Sequence, residues 1–409
     1  MMPDFVNSLS DAPSVERSAG QQRLPLEAGV KSVLERIRAL GSKSKGPVIV
    51  EIAGGSGSGK TTKVASRLKE KLKDKAQLIS IDDYIVGLKR VNTLGINLDH
   101  PASVDLDLLK DHLRLMKFGK QIDKPVYAFA TGERAGSERV TPKKVIIIEG
   151  LFALNKKVAG EGDIRVFVDA GSHGRTIRRL IRDINRPNLF SNPQLSMQYM
   201  TGVVEPMYKE HVAPTKGNAD LVIENDYNPQ REAESTGILE SQRKYKVSIG
   251  AETLRKAGAS IIASSNQADR YYAPHDGSFS NTGEIIRVRK ENKRIIFAYK
   301  GPKNPSRVAV ERNKLEFEID EKTEQGMASV YALQPKIIAK DRAVYSYRGL
   351  IFSIDTDVCK TENGGVTELG NFLEVPVPKS KEGLAVLASL LKVLGIDESA
   401  KILKSYDEM

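Results

Sequence analysis

Between residues 47 and about 225, short β-branched runs alternate with segments whose apolar positions recur every third or fourth residue. The runs fall at 48–52, 78–81, 145–148, 166–168 and 221–223. Between them Val64, Leu68 and Leu72, and later Leu109 and Leu113, repeat at helical spacing. Such alternation predicts a parallel sheet with crossover helices, an α/β unit. An earlier helix is predicted over 28–40, where Val30, Val33, Leu34 and Ile37 share a face, after a polar stretch 1–27 that reads as a loose arm. Asn, Pro, Ser and Gly after Tyr227 read as a linker. Beyond it the period changes to two, with runs at 284–290, 294–300, 314–320, 336–342 and 344–355, and turn signals at Glu291-Asn292-Lys293 and Arg348-Gly349. That pattern predicts antiparallel strands joined by hairpins. A last segment, 382–394, sets Leu384, Leu387, Leu391 and Leu394 on one side, suited to covering a sheet. The expected division is an arm and helix over 1–46, an α/β domain over 47–227, a linker over 228–239 and a β-rich domain over 240–409.

The length of 409 residues suits two domains, and 40% hydrophobic with 28% charged residues describes an ordinary globular chain rather than a fibrous or disordered one. No apolar run approaches the roughly 18 residues of a membrane span, so no membrane partner is expected. The opening stretch carries Asp4, Asp11 and Glu16 without an apolar core and does not read as a secretory signal. A single cysteine, Cys359, excludes an intrachain disulfide and fits a reducing cytoplasm, the expected location. The 63 basic and 52 acidic residues leave a formal charge of +11, which suits nucleic acid, an anionic surface or small polyanions. Aromatic residues are only 6%, Trp is absent, and neither zinc-finger spacing nor a basic tail occurs, so no direct nucleic-acid partner is expected. A homo-oligomer stays open.

The strongest chemical signal is Gly54-Gly55-Ser56-Gly57-Ser58-Gly59-Lys60-Thr61, followed by Thr62, between a predicted strand and a predicted helix. Glycines let backbone N–H groups wrap phosphate oxygens, the helix start adds positive potential, Lys60 reaches the β and γ phosphates, and Thr61 offers a hydroxyl to magnesium. A bare Gly-rich turn would not need the Lys and Thr. Glu149, after the buried run 145–148, supplies a carboxylate for the metal side. Asp82 and Asp83 follow the run ending at Ile81, at the strand edge where open α/β sheets bind ligands; one of them would take a proton from an acceptor hydroxyl, and each also suits a turn or helix cap. Arg175, Arg178, Arg179 and Arg182 share a predicted helix, where they either clamp phosphoryl charge or form a solvated face.

Over residues 47 to about 227 the chain resembles the uridine kinase and phosphoribulokinase family. Besides the phosphate loop, the resemblance rests on Ser80-Ile-Asp82-Asp83-Tyr84, Asn97-Leu-Asp99-His100-Pro101, Pro125-Val-Tyr127, Ile148-Glu149-Gly150 and Arg178-Arg179-Leu-Ile-Arg182-Asp183, in family order. It implies a P-loop kinase that moves the ATP γ-phosphate to a sugar-type hydroxyl, with Asp82 as base, Asp99, Tyr127 and Gln198 on the acceptor side, and Arg178 and Arg182 near the phosphates. Where uridine kinases read the base with an aromatic and a His, this chain has Ile85 and Gly132. Arg186-Pro187-Asn188-Leu189 stands where an arginine pair is usual.

In the β-rich half, Arg287 with Arg289, Glu316 with Glu318, Lys340 with Arg342, and Asp355 with Asp357 each lie two apart, which puts each pair on one strand face. Such faces turn to solvent, or close around a charged interior in which cations hold polyphosphate and carboxylates a divalent metal. The order of Gln267-x-Asp269-x-Tyr271-Tyr272, Ile286-Arg287-Val288-Arg289, Tyr299-Lys300-Gly301-Pro302, Glu316-x-Glu318, Lys340-x-Arg342 and Leu369-Gly370-x-Phe372-Leu373-Glu374 resembles the CYTH, or triphosphate tunnel metalloenzyme, family over about 240–395. The resemblance implies an eight-stranded tunnel, with Arg287, Arg289, Lys300, Lys340 and Arg342 on phosphate and Glu316, Glu318, Asp355 and Glu374 towards Mg2+ or Mn2+. The family's opening Glu-x-Glu-x-Lys here reads Glu240-Ser-Gln242-Arg-Lys244, one carboxylate short. The expectation is a Mg2+-dependent kinase that uses ATP or another nucleoside triphosphate, acts on a nucleoside-like hydroxyl and carries a polyphosphate-binding tunnel. The alternatives are a triphosphate or pyrophosphate phosphohydrolase and a nucleotide-responsive binding protein.

Overall fold

A computed structural model describes residues 21–44, 46–185, 192–232, 238–279, 282–304 and 309–409. Most of the N-terminal arm, the 186–189 departure and part of the linker lie outside them. The chain divides into two compact units, one comprising residues up to Arg175 together with Val203–Asp226, the other Thr176–Gly202 together with Tyr227–Met409.

The first unit is built on a six-stranded parallel sheet. Its strands are β1 (Gln22–Pro25), β2 (Val48–Gly54), β3 (Ala76–Ser80), β6 (Val145–Glu149), β7 (Ile164–Asp169) and β8 (Leu221–Glu224), in the order β1-β8-β7-β2-β6-β3. A hairpin of β4 (Ile122–Ala128) and β5 (Glu133–Val140) stands apart from it. Both sheet faces are covered, so the strands read as continuous apolar runs rather than alternating ones. Val48, Val50, Ile52, Ile147 and Val166 pack with Val30, Val33, Val64 and Leu68 on one side. Ile49, Ile79, Ile146, Ile148 and Phe167 pack with Leu109, Leu113 and Met116 on the other. The helix expected over 28–40 is observed as Leu26–Gly41. The loose arm is corrected at its end. Residues Gln22–Pro25 pair in parallel with Leu221–Glu224, because the sheet edge there supplies a ladder that four polar-flanked residues could not make alone.

The second unit is a closed antiparallel barrel. Strands β9 (Ile238–Lys246), β10 (Ser260–Pro274), β11 (Ile285–Glu291), β12 (Arg294–Lys300), β13 (Val310–Ile319), β14 (Tyr331–Tyr347), β15 (Leu350–Glu362) and β16 (Gly365–Pro376) close in the order β10-β11-β12-β13-β9-β16-β15-β14. Two expected hairpins turn through left-handed residues, Asn292 in one and Arg348 with Gly349 in the other. The run 344–355 is therefore split between β14 and β15. Outside the barrel, the helix Lys381–Val393 packs Leu387, Leu390 and Leu391 with Tyr345, Phe352 and Leu373, while Leu384 is exposed. Ile177, Leu180 and Met197 pack with Ile286, Val288 and Phe297, so the segment before the linker contributes to this unit's core.

Candidate functional site

The phosphate loop leaves the fully buried strand β2 and turns into the helical segment Lys60–Ala65, with Thr61 and Thr62 in its first turn. Gly57 and Gly59 are left-handed (φ 78° and 85°), a region that disfavours any side chain. A Cβ on Gly57 would also run into the backbone of Arg175. The Ser58 N–H donates to Gly55 O (3.0 Å), and Asn225 Nδ2 donates to Ser58 O (2.7 Å). Arg175 is buried against the loop. Its guanidinium donates to Ala170 O (3.1 Å) and Glu205 Oε2 (2.7 Å) and lies 3.7 Å from the centre of the Tyr208 ring. Asn225 and Glu205 were not legible as loop supports, since each is far from the loop in sequence.

Parallel register brings the acids to the same edge. The Thr61 hydroxyl donates to Glu149 Oε2 (2.9 Å), and the Ser80 hydroxyl donates to Oε1 of the same carboxylate (3.2 Å). A hydroxyl and a carboxylate side by side next to a phosphate cradle are a hard-oxygen set that fits Mg2+. The Asp82 residue is exposed at this edge. Its carboxyl is pushed above the usual range by desolvation and by Glu149, Asp99 and Asp83, with Lys60 opposing. Lys60, Glu149 and Asp99 thus lie within electrostatic reach of Asp82. Tyr127 is buried, and its phenol is pushed up by desolvation, then by Glu133 and Asp82. Asp83 is engaged differently, accepting from Lys124 Nζ at 2.5 Å.

Gly132 is left-handed (φ 70°), and a Cβ there would overlap Leu88; Ile85 is buried and bridges to Val104. Arg178, Arg182 and Gln198 belong to the second unit. Arg178 there holds Glu232 (2.7 and 2.8 Å) and Arg182 holds Asp183 (2.8 Å), while Gln198 is half-buried on the helix Pro193–Tyr199.

The barrel encloses a cavity of about 210 Å³, lined among the described residues by nine basic and five acidic side chains. Arg287, Arg289, Lys300, Lys340 and Arg342 all line it, so these cationic faces turn inward rather than to solvent, while Glu318 and Asp357 are exposed. Asp269 is held well below the carboxylate range, against its desolvation, by Arg287 and Arg289. Burial brings Lys300 and Lys340 down to about 8. Tyr406 enters from the chain's last described residues. It is buried, donates to Asp355 Oδ2 (2.7 Å) and lies under the Lys244 ammonium, 3.5 Å from its ring centre. No period-two pattern marks it.

The acids expected to hold a tunnel metal are each engaged by basic side chains, and Asp355 and Glu374 meet on the same guanidinium nitrogen of Arg342. Asp355 is fully buried on Lys340 (2.7 Å) and Arg342 (2.6 Å), and Glu374 holds Arg342 and Lys244. Glu316 holds Lys314 (3.1 Å) and Arg287 (3.3 Å). Glu318 is exposed on Arg294 (3.0 Å), outside the cavity lining. Among the described residues no three His, Cys, Asp or Glu side chains gather as a metal site.

Residues 49–229 match the phosphoribulokinase/uridine kinase family, and residues 239–406 match the CYTH domain. Uridine kinase of Geobacillus kaustophilus is 40% identical over 186 residues, covering 44% of this chain and 86% of that one. The chain belongs to the phosphoribulokinase/uridine kinase family. It joins this family's domain to a CYTH domain. Inorganic pyrophosphatase TTM2 of Arabidopsis thaliana is 34% identical over 230 residues, 56% of this chain and 33% of that one. Uridine-cytidine kinase C of Dictyostelium discoideum is 30% identical over 278 residues, 66% of this chain and 60% of that one. The chain therefore spans only a third and three-fifths of the length of these two relatives. Among the described residues no helix is long and apolar enough to cross a membrane.

Proposed function

We propose that the first unit transfers the γ-phosphoryl group of ATP to a hydroxyl of a nucleoside-like acceptor, and that the CYTH barrel binds a polyphosphate or nucleotide. The observation that carries the kinase reading is the Thr61–Glu149–Ser80 clasp beside Lys60 and Asp82 at one edge of the sheet. Gly54 to Thr62 would cradle the phosphates, and Lys60 would stay on the β and γ groups as charge moves between them. Mg2+ held by Thr61 and Glu149 would neutralise phosphate charge when bound. Asp82 would accept the acceptor's hydroxyl proton as the new O–P bond forms and the bond to the β–γ bridging oxygen breaks, releasing ADP. Asp99 and Tyr127 would orient the acceptor. Similarity to uridine kinases supports a nucleoside acceptor, while Ile85 and Gly132 leave the base unread at two positions.

The deciding experiment identifies the products formed from Mg-ATP with and without a nucleoside panel, in the natural chain and in Lys60→Ala. A phosphorylated nucleoside that disappears in Lys60→Ala is the expected result. Phosphate or pyrophosphate release that needs no acceptor and survives Lys60→Ala would move the chemistry to the barrel and support the phosphohydrolase reading.

A further inference from the structure

The barrel's donor set disagrees with a metal-centred site, and the disagreement is localised. Glu240 and Glu316, on neighbouring strands, both point into the lumen, an arrangement that would ordinarily invite a divalent cation. Between them stands a side chain instead. Lys314 Nζ lies 3.1 Å from Glu240 Oε1 and 3.1 Å from Glu316 Oε2, and Lys300 Nζ lies 2.8 Å from Glu240 Oε2. At position 242, where a second acid would complete the set, Gln242 donates its amide to Glu240 (3.2 Å) and adds no charge. Opposing its desolvation, Lys300 and Lys314 hold Glu240 down to about 2, so it stays a carboxylate saturated by ammonium groups. A lysine between two carboxylates supplies the positive charge a metal would bring, without the metal's open coordination positions.

The rest of the lumen is organised for an anion. Basic side chains outnumber acidic ones nine to five among the described lining residues. Arg287 is nine-tenths buried, and its Nε has no hydrogen-bond partner among the described residues, a donor for which a ligand oxygen would be the natural acceptor. We infer that the barrel takes the triphosphate chain as a metal-free anion, with Lys314 in place of a divalent cation between Glu240 and Glu316. This rests on the reading of the barrel as a polyphosphate site and specifies how that site achieves charge balance.

The test uses the full chain in a Lys60→Ala background, so that the phosphate loop does not contribute, and measures inorganic tripolyphosphate binding by calorimetry in EDTA and in excess Mg2+ or Mn2+. Binding in EDTA that metal does not tighten is expected, with weaker apparent binding where Mg2+ or Mn2+ sequesters the free anion. Binding that is lost in EDTA, or tightens by roughly tenfold or more with metal, overturns the inference and leaves the polyphosphate reading standing. No binding in either condition overturns both. Glu316→Gln separates the roles further. Removing a carboxylate that only repels the anion should tighten metal-free binding, whereas loss of a metal ligand would weaken metal-supported binding, and the second outcome sinks the assignment. Lys314→Met, checked for an unchanged melting curve, should make tripolyphosphate binding metal-dependent, and a metal response identical to that of the parent would refute the role given to Lys314.

Discussion

Glu51 shows how one side chain sets a pH dependence that no motif announces. It lies in the middle of β2, fully buried, and among the described residues neither carboxyl oxygen has a hydrogen-bond partner of normal geometry. Burial pushes its pKa up to about 8, with the Gly162 backbone and Arg165 compensating only in part. Below the ordinary value of 4.5 the folded and unfolded chains both hold the proton. Between 4.5 and about 8 the unfolded chain releases it and the folded chain keeps it, so stability falls as pH rises through that window. Glu51→Gln is expected to stabilise the protein by about 3 kcal/mol at neutral pH, with the gain vanishing towards pH 4.5. Thermal midpoints across pH check this, and parallel profiles for the two proteins would refute it. Asp82 carries the same logic into the reaction. If Asp82 is the base of the proposed transfer, its raised pKa would place the acidic limb of the rate above the ordinary carboxylate range, with activity rising as Asp82 ionises. Asp82→Asn should lower kcat by roughly 10²–10⁴ and remove that limb, and an unchanged limb would assign the titration to another group.

At the level of elements, turns decide what side chains can be offered. The turn between β4 and β5 carries Gly132 in a left-handed conformation, and Leu88 fills the space where a side chain would start. A uridine-type base reader therefore does not go back by simple replacement. Gly132→His is expected to lower the thermal midpoint and leave acceptor preference unchanged, because the strain at φ 70° and the Leu88 overlap displace the turn before the imidazole reaches a base. Kinetics on a nucleoside panel check it, and a gain in uridine kcat/KM with unchanged stability would overturn it. Element periodicity itself was largely legible. The runs at 48–52, 145–148 and 221–223 became β2, β6 and β8, and the hairpins at Asn292 and at Arg348-Gly349 appear as read. What the pattern missed, such as β1 and the strand β10, carries polar or mixed faces whose pairing depends on a distant neighbour.

For the whole molecule, the two compact units do not follow the linker. Ile177, Leu180 and Met197 precede it by some thirty to fifty residues yet pack in the barrel unit's core with Tyr272, Val288 and Phe297. A fragment of residues 239–409 would expose that apolar face. It is expected to be less stable than the barrel in the full chain and to self-associate. Scattering and denaturation of the fragment test this, and a monomer of undiminished stability would show that the segment before the linker is dispensable. Sequence alone determined the phosphate loop, the α/β and antiparallel periods, and the pairing of cations two apart on one strand face, because each is written in contiguous residues at fixed spacing; that the cationic faces turn into the barrel was decided by its closure. Tertiary structure alone decided that Asn225 braces the phosphate loop, that Tyr406 reaches Asp355, that Gly132 is sterically closed, and that the barrel's carboxylates are answered by lysine and arginine. Those are contacts between residues far apart in the chain, and a one-dimensional pattern does not carry the distances that make them.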